Sequence, residues 1–245
     1  MEIETQSCNE RVTVVDVRGV SLSLVSYTRA LELCARMNYE TEVLDFIDGI
    51  GKGEILYDLG ACEGRFALYA AKRGVRCYAF EPEAANFQAL IQNLAMNPGT
   101  VECLIPIKVA VGSHTGSATL NIGQPWAGGH HKTVGKHADR EDLRFDTVAV
   151  QNINIVSLDE YVQSSNLPWP NYLKVDVDGS EIAMLDGAEQ TLNRPELKSV
   201  IFELFKPDKS YSESVSRLNA AGFSVGAHYE IPNAPELFNV LFTRR

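Results

Sequence analysis

Residues 58–64, Asp58-Leu-Gly-Ala-Cys-Glu-Gly64, decide the fold because they join two different sequence patterns. Residues 54–59 are a short apolar run typical of a buried β-strand, and residues 66–72 have the spacing of an amphipathic helix. Gly60 and Gly64 have no side chain where the backbone must approach a ligand closely, and the start of the helix adds a favourable dipole. The stretch therefore predicts a ligand-binding turn, which we call the glycine turn.

The residue types in the glycine turn narrow the class of ligand. A dinucleotide-binding turn has the pattern Gly-x-Gly-x-x-Gly because a pyrophosphate lies against it, whereas here Ala61 and Cys62 follow the first glycine. Asp58 brings a negative charge into the turn. We therefore expect the turn to bind a cationic amino-acid group rather than a diphosphate.

Short apolar runs alternate with helical stretches on the carboxyl side of this turn. The alternation is typical of parallel β-α-β units and predicts an α/β fold, in which helices pack on a sheet. On the second helix, Phe87, Leu90, Ile91 and Leu94 form one stripe, which predicts that this face belongs to the core. The predicted strands span residues 54–59, 76–81, 101–105, 171–177 and 199–204, and the predicted helices span residues 66–72, 84–97, 181–192 and 212–221.

Two parts of the chain depart from this alternation. Residues 1–50 are predicted to cap the main domain, residues 51–245, and an insertion is predicted at about residues 113–156. Within the insertion, two alternating segments flank a glycine-rich stretch, which we interpret as a β-hairpin with a long loop. Long loops on rigid scaffolds often carry function. His131 in this loop is therefore a candidate general base, with an ordinary loop residue as the alternative.

A carboxylate ends the second predicted strand. Glu81, followed by Pro82, is expected at the tip of this strand, where its oxygens would accept hydrogen bonds from both hydroxyls of a ribose. This use of a strand-end acid is common among α/β folds that bind adenosine. A solvated side chain at the end of a strand is the alternative.

More acidic residues end the two strands that we expect beside the first one. Asp176 and Asp178 close one of these strands, which also contains Lys174, and Glu203 closes the next. Buried strands rarely end in unpaired charges for packing reasons, and the carboxyl ends of parallel strands meet at one edge of the sheet. We therefore expect these acids to face a substrate hydroxyl. The alternative is an ion pair between Lys174 and a carboxylate that only braces the edge.

The composition excludes several classes of function. The 245-residue chain has a formal net charge of −10 and no Lys/Arg cluster beyond two pairs, so long nucleic acid is not an expected partner. No apolar run is long enough to span a membrane, and the acidic N-terminus is unlike a signal peptide. An odd number of cysteines without Cys-x-x-Cys spacing predicts neither a disulfide framework nor a zinc site, and favours the cytoplasm. The cysteines are Cys8, Cys34, Cys62, Cys77 and Cys103.

Together these motifs resemble the FkbM family of methyltransferases, whose pattern is an Asp-x-Gly-Ala turn, a Phe-Glu-Pro strand end and a Lys-x-Asp-x-[Glu/Asp]-Gly strand. The resemblance extends from about residue 40 to residue 242. It implies a Rossmann-like class I methyltransferase fold, with a mostly parallel seven-stranded sheet and helices on both faces. The matching elements are Tyr57-Asp-Leu-Gly-Ala61, Tyr78-Ala-Phe-Glu-Pro82, residues 93–97, Ala110-Val-Gly112, Ser157-Leu-Asp159, Leu173-Lys-Val-Asp-Val-Asp-Gly179 and Phe202-Glu203.

The resemblance also implies S-adenosyl-L-methionine as the cofactor, bound along the carboxyl edge of the sheet. By position, Asp58 and Gly60 would lie near its methionine part, Glu81 on its ribose and Asp176 near the transferable methyl group. Cys62 and its neighbour Glu63 stand where the family usually has Asn and a small apolar residue. The cofactor-binding residues implied are Asp58, Gly60, Ala61, Glu63, Gly64, Glu81, Pro82 and Asp176.

The expected reaction is O-methylation of a hydroxyl on a sugar, a glycan or a related small molecule by in-line displacement, without a metal. Asp176 is the first candidate for the general base, and Glu203 and His131 are the others. Asp178, together with Gly129-His-His131, resembles a subgroup associated with surface-polysaccharide biosynthesis. The alternatives are a divalent cation held by Asp176 and Asp178, an inactive S-adenosylmethionine-binding protein, and a nicotinamide-dependent oxidoreductase.

Overall fold

The structure, a computed structural model, describes residues 11–135, 138–140, 143–232 and 234–245. The predictions made for Cys8 and for the acidic N-terminus concern residues that lie outside these ranges. The N-terminal half contains β1 (Val12–Val17), β2 (Val20–Val25), α1 (Arg29–Cys34), α2 (Thr41–Asp48), β3 (Ile55–Leu59), α3 (Arg65–Lys72), β4 (Arg76–Phe80), α4 (Ala84–Met96), β5 (Leu104–Ile107), β6 (Ala110–Gly112) and β7 (Gly116–Ile122). The C-terminal half contains β8 (Lys132–Val134), β9 (Ala138–Arg140), β10 (Leu143–Arg144), β11 (Ala149–Ser157), α5 (Leu158–Ser164), β12 (Tyr172–Val175), α6 (Glu181–Asp186), α7 (Glu189–Asn193), β13 (Ser199–Phe205), α8 (Lys209–Ala220), β14 (Phe223–Glu230) and β15 (Leu237–Arg244). Among these described helices, none has the length and apolar character needed to cross a membrane.

The main sheet has seven strands in the order β14-β15-β13-β12-β3-β4-β5. Each strand from β13 to β5 is parallel to its neighbour, whereas β15 runs antiparallel to both β13 and β14. These pairings confirm the expected α/β fold with a mostly parallel sheet. The strand order reverses between β3 and β12, and ligands of open α/β sheets bind outside the carboxyl ends of the strands at such a point.

The core consists of two apolar layers, one on each face of the main sheet. Consecutive residues of a strand point to opposite faces, so Leu56 packs with α2, α3 and α4 while Tyr57 packs with α5, α6, α7 and α8. Both residues are at most 1% exposed. Helices therefore cover both faces, as expected. The hairpin formed by β1 and β2 adds Leu22 and Leu24 to the first layer.

The insertion, together with β6 just before it, forms a second sheet of four strands in the order β6-β11-β7-β8. β7 and β11 pair antiparallel along Gly116–Ile122 and Ala149–Ile155, as predicted for the two alternating segments. The inserted hairpin is therefore confirmed, and two further strands extend it, because β8 pairs with β7 and β6 pairs with β11. Residues of β8 supply hydrogen-bond partners to an edge of β7 that would otherwise be unpaired.

Two other predicted elements differ in their bounds. The strand predicted at residues 101–105 begins only at Leu104, because the preceding residues form a turn in which Val101 is 63% exposed. The third predicted helix is divided into α6 and α7 around Gly187. A Cβ atom at Gly187 would lie 1.9 Å from the carbonyl oxygen of Gly112, so the helix is interrupted where the chain packs against β6.

The buried face of α4 also differs from the prediction. It is formed by Asn86, Ala89, Leu90 and Asn93, while Ile91 of the predicted stripe is 37% exposed. A buried amide side chain needs hydrogen-bond partners, and backbone groups of the β1–β2 hairpin, the insertion and the glycine turn supply them. Leu90 is fully buried, and Phe87 and Leu94 pack against the same core. The predicted stripe therefore belongs to the core except for Ile91, and two buried asparagines extend the buried face.

Candidate active site

A cavity of about 520 Å³ lies at the carboxyl edge of the main sheet, and its size is usual for a small-molecule site. The glycine turn, the ends of β4, β12 and β13, the insertion, the β14–β15 connection and residues 34–40 contribute to its wall. The sequence-predicted site residues on the wall are Gly60, Glu81, Pro82, His131, Asp176 and Glu203. Those that do not line it are Asp58, Ala61, Glu63 and Gly64.

The glycine turn has a compact and unusual backbone. Gly60, Cys62 and Gly64 have positive φ angles of 82°, 51° and 82°. The amide of Gly60 donates a 3.0 Å hydrogen bond to the carbonyl oxygen of Phe80. A Cβ atom at Gly60 would lie 1.7 Å from the carbonyl oxygen of Asp176, so only glycine fits where the turn passes the end of β12.

Glu81 is buried just after β4 and is held by two backbone amides. Its Oε1 accepts a hydrogen bond from the amide of Glu83 (2.8 Å), and its Oε2 accepts one from the amide of Cys62 (2.9 Å). Burial raises the pKa of Glu81 to about 7, although these bonds and Lys132 act in the opposite direction. A carboxylate oxygen can accept more than one hydrogen bond, so both oxygens can still accept from ribose hydroxyls. The donor set therefore fits the ribose of a nucleoside.

Lys132 anchors the insertion beside the end of β4. Its Nζ donates to Oε2 of Glu83 (2.9 Å) and to Oδ1 of Asn86 (3.1 Å). The adjacent His131 lines the cavity, and its ring stacks on that of Phe145 with 5.4 Å between centroids. The insertion thus forms one wall of the cavity.

Three carboxylates meet on the opposite side of β3 from Glu81. The carboxylate oxygens of Glu40, Asp176 and Glu203, which we call the acidic cluster, lie within 4.8 Å of one another. Burial, and then the charges of Asp176 and Glu40, raises the pKa of Glu203 well above its usual value. Asp178 lines the same cavity. The acidic cluster can accept hydrogen bonds from hydroxyl groups, take up a proton or hold a cation.

Lys174 is a buried cation beside the acidic cluster. Its Nζ lies 3.0 Å from Oδ1 of Asp58 and 3.5 Å from Oδ2 of Asp176. Burial alone would lower the pKa of Lys174, but Asp58, Asp176 and Glu40 raise it above its usual value. Asp58 is only 1% exposed, so it neutralises Lys174 and does not reach the cavity. The sequence left open an ion pair between Lys174 and a carboxylate at this edge of the sheet. The structure contains this ion pair, and Asp58 is the nearer of the two carboxylates.

Arg65, the first residue of α3, connects the glycine turn to the N-terminal part of the chain. It forms ion pairs with Glu63 (3.3 Å) and with Glu40, and its guanidinium lies over the rings of Tyr39 and Phe66. Glu63 is 1% exposed and faces Arg65, which explains why it does not line the cavity.

Ala61 and Gly64 contribute to packing beneath the cavity. Ala61 belongs to the apolar layer that contains α3 and α4. Gly64 faces α4, where an added Cβ atom would lie 2.5 Å from a methyl carbon of Leu90. These two residues shape the glycine turn without forming the cavity wall.

Glu40, Arg65 and Lys132 are site residues that the sequence analysis did not identify. Glu40 and Lys132 belong to segments without the β-α-β alternation. In these segments the sequence gives no strand end from which a position at the carboxyl edge of the main sheet could be predicted. Arg65 directly follows the glycine turn, and its basic side chain close to Glu63 is a signal that could have identified it.

Comparisons with known proteins agree with this geometry. The sequence model described as "Methyltransferase FkbM domain" matches residues 58–225, more than half of the chain. The chain is also 31% identical over 139 residues to the hexuronic acid methyltransferase AglP of Haloferax volcanii. That match covers 57% of this chain and 52%, about half, of the relative.

Solved structures show the same fold. The methyltransferase FkbM from Methylobacillus flagellatus KT superposes with a TM-score of 0.54 at 16% identity, over 78% of this chain and 43% of that chain. Fibrillarin from Aeropyrum pernix, solved with S-adenosyl-L-methionine bound, gives a TM-score of 0.51 at 10% identity, over 98% of this chain and 85% of that chain. The cofactor is S-adenosyl-L-methionine. The protein belongs to the FkbM methyltransferase family.

Proposed function

We propose that this protein is an S-adenosylmethionine-dependent O-methyltransferase that acts on a hydroxyl group of a sugar, a glycan or a related small molecule. The observation that carries the proposal is the acidic cluster, because it lies in the same cavity as the glycine turn and Glu81. Similarity to a hexuronic acid methyltransferase supports a sugar acceptor. S-adenosylmethionine supplies a methyl group on a sulfonium, which a hydroxyl oxygen attacks in line.

Different residues bind the cofactor, orient the acceptor and accept its proton. Glu81 binds the ribose, and the glycine turn holds the methionine part. Asp176 orients the acceptor hydroxyl, because its carboxylate lines the cavity and is held by Lys174 at 3.5 Å. Glu203 takes the proton as the new bond forms, since its raised pKa makes it a stronger base than an ordinary carboxylate. His131, on the insertion, is the second candidate for this proton.

We assign recognition of the acceptor to two segments outside the predicted β-α-β alternation. They are the predicted cap at residues 1–50 and the predicted insertion at about residues 113–156. Glu40 from the cap and His131 from the insertion both line the cavity. The acidic wall favours an acceptor without negative charge, which differs from the acidic sugar in the name of the 31% identical relative. A cytoplasmic location fits the free thiols of the described residues, which are Cys34, Cys62, Cys77 and Cys103.

The experiment that tests this function is a thermal-shift and calorimetric titration with S-adenosylmethionine, S-adenosylhomocysteine and NAD(H), made on the wild-type protein and on Glu81→Ala. Ligands that bind the folded state raise its apparent stability. We expect stabilisation by the two sulfur nucleosides alone, weakened in the variant. A response only to NAD(H), as for a nicotinamide-dependent oxidoreductase, would overturn the proposal.

An acceptor screen on the same protein preparation, beginning with sugars, tests two alternatives: a metal-dependent mechanism and an inactive binding protein. Turnover that EDTA abolishes and Mg²⁺ restores would favour a divalent cation held by acidic residues over the metal-free mechanism. Tight binding of S-adenosylhomocysteine without turnover on any acceptor would favour an inactive binding protein.

A further inference from the structure

Asn93 of α4 links the β1–β2 hairpin to the glycine turn. Its side chain is fully buried. Its Oδ1 accepts a 2.7 Å hydrogen bond from the amide of Val25, and its Nδ2 donates a 2.8 Å hydrogen bond to the carbonyl oxygen of Glu63. One amide group therefore bridges two segments that are far apart in sequence, and it has no other function assigned above.

Asn97, one helical turn later, provides a natural comparison. Its Oδ1 accepts from the amide of Ser23 (3.0 Å), and its Nδ2 donates to the carbonyl oxygens of Ser23 (2.8 Å) and Asn93 (2.6 Å). Asn97 thus holds the same hairpin strand as Asn93 and is also buried, but its hydrogen bonds do not reach the glycine turn.

The glycine turn requires such support because Cys62 has a φ of 51°. A side chain in this left-handed region is disfavoured unless surrounding contacts hold it there. On one side of Cys62, its own amide donates to Oε2 of Glu81. On the other side, the Glu63–Gly64 peptide, one residue further on, is held by the hydrogen bond from Asn93 to the carbonyl oxygen of Glu63. Each of these two contacts is therefore one of the restraints that oppose a return of Cys62 to a more favourable conformation.

We propose that Asn93 is a positioning residue for the cofactor. It fixes the peptide between Glu63 and Gly64, keeps Cys62 in its left-handed conformation, and thereby couples the β1–β2 hairpin to cofactor affinity. This hairpin lies outside residues 58–225, the part of the chain that the family model matches. The proposal concerns cofactor binding and does not depend on which acceptor is methylated.

The first test compares S-adenosylhomocysteine affinity by calorimetry in the wild type, Asn93→Ala and Asn97→Ala. We expect Kd to rise at least about fivefold in Asn93→Ala, the scale set by strain at one backbone position, and to stay within about twofold in Asn97→Ala. Both variants lose hairpin contacts, so a purely structural role predicts similar changes in both. Equal affinities in the two variants would overturn the proposal.

A rescue variant tests the role of the left-handed residue. Glycine adopts this conformation without steric cost, so Asn93→Ala should weaken binding less in a Cys62→Gly background than in the wild type. The reference for this comparison is Cys62→Gly alone. An undiminished loss in the Cys62→Gly background would contradict the proposed path through Cys62.

Hydrogen exchange on the wild-type protein covers the case in which Asn93→Ala does not fold. If the hairpin affects cofactor affinity, cofactor binding must in turn stabilise the hairpin contact, because coupling between two sites is reciprocal. S-adenosylhomocysteine should therefore slow exchange of the Val25 amide, which donates to Asn93, more than exchange at the hairpin turn near Gly19. Unchanged exchange at Val25 on ligand binding would overturn the inference. Wild-type affinity, measured first, separates this result from a failure of cofactor binding itself.

Discussion

At the residue scale, Glu81 has a pKa of about 7 in the folded protein, against 4.5 for an ordinary glutamate. Because the pKa is higher in the folded state, its contribution to stability is fully present below about pH 4.5 and is lost as the pH rises through about 7. The proposed binding of a ribose to Glu81 has the opposite pH dependence, because an ionised carboxylate is the better acceptor for two ribose hydroxyls. The site therefore gains affinity over the same pH range in which Glu81 lowers the stability of the unliganded fold.

This opposition predicts the pH dependence of cofactor affinity. Between pH 8 and pH 5.5, we expect the affinity for S-adenosylhomocysteine to decrease below about pH 7, approaching tenfold per pH unit if binding requires the ionised form. Calorimetry at a series of pH values measures it. Glu81→Gln should bind more weakly at pH 8 and show a flatter profile, and an identical slope in this variant would assign the titration to another group.

A second prediction at this scale concerns the proposed base. Glu203→Gln should lower kcat by about 100-fold or more, while the Kd for S-adenosylhomocysteine changes by less than about twofold, because the proton is accepted only during the reaction. Glu213→Gln on the exposed side of α8 is a matched surface control. A similar loss in both kcat and cofactor affinity would reassign Glu203 to binding.

At the element scale, Asp159 connects α5 to α7. It is 6% exposed, and its carboxylate accepts hydrogen bonds from the amides of Gln190 (2.7 Å) and Thr191 (2.9 Å) and from the Thr191 hydroxyl (2.6 Å). These bonds satisfy amides at the start of α7 that have no partner within the helix. The break at Gly187 is thus compensated by a residue from a different helix.

Removing this carboxylate should destabilise the fold without changing the cofactor site. We expect Asp159→Ala to lower the free energy of unfolding by about 2 kcal/mol, because it leaves buried amide and hydroxyl donors unpaired. Denaturant unfolding measures the change, with the neighbouring Glu160→Ala as the control. A loss below about 0.5 kcal/mol would show that water replaces the carboxylate.

The sequence predicted most elements because the strands near the glycine turn are short apolar runs with polar residues at their ends. Residues 54–59 and 76–81 correspond closely to β3 and β4. The prediction was incomplete on α4, where Asn86 and Asn93 are buried beside Leu90, because hydrophobic periodicity treats asparagine as solvent-facing. The backbone partners of these amides lie in distant segments, so local sequence could not reveal them.

At the scale of the whole molecule, the site combines residues with very different sequence signals. Glu81, Asp176 and Glu203 were predictable as a group, because the first two directly follow parallel strands, Glu203 lies two residues before the end of a third, and such ends meet at one edge. Glu40 and Lys132 reach the same cavity from segments that pack onto the sheet, so their positions depend on tertiary structure. Their roles were therefore not predictable from spacing.

The charge of the whole cavity predicts acceptor preference. If the acceptor binds beside the acidic cluster and Asp178, as proposed, a neutral methyl glucoside should react at least about tenfold faster than the corresponding methyl glucuronide, because a further carboxylate would be repelled. S-adenosylhomocysteine release measures both rates, and added salt should narrow the difference. Faster methylation of the glucuronide would show that the acidic wall does not face the acceptor.

The position of β15 between β13 and β14 also affects how the protein is made. β14 precedes β15 in the chain, but β15 is the only strand of the main sheet with which β14 pairs. β14 therefore cannot join the sheet until Leu237–Arg244 has left the ribosome. Until then, the edge of β13 that β15 covers is unpaired, and unpaired apolar strand edges promote association between nascent chains. The β14–β15 connection that lines the cavity closes at the same moment. The part of the cavity wall formed by this connection is therefore completed only at the last stage of synthesis of this domain.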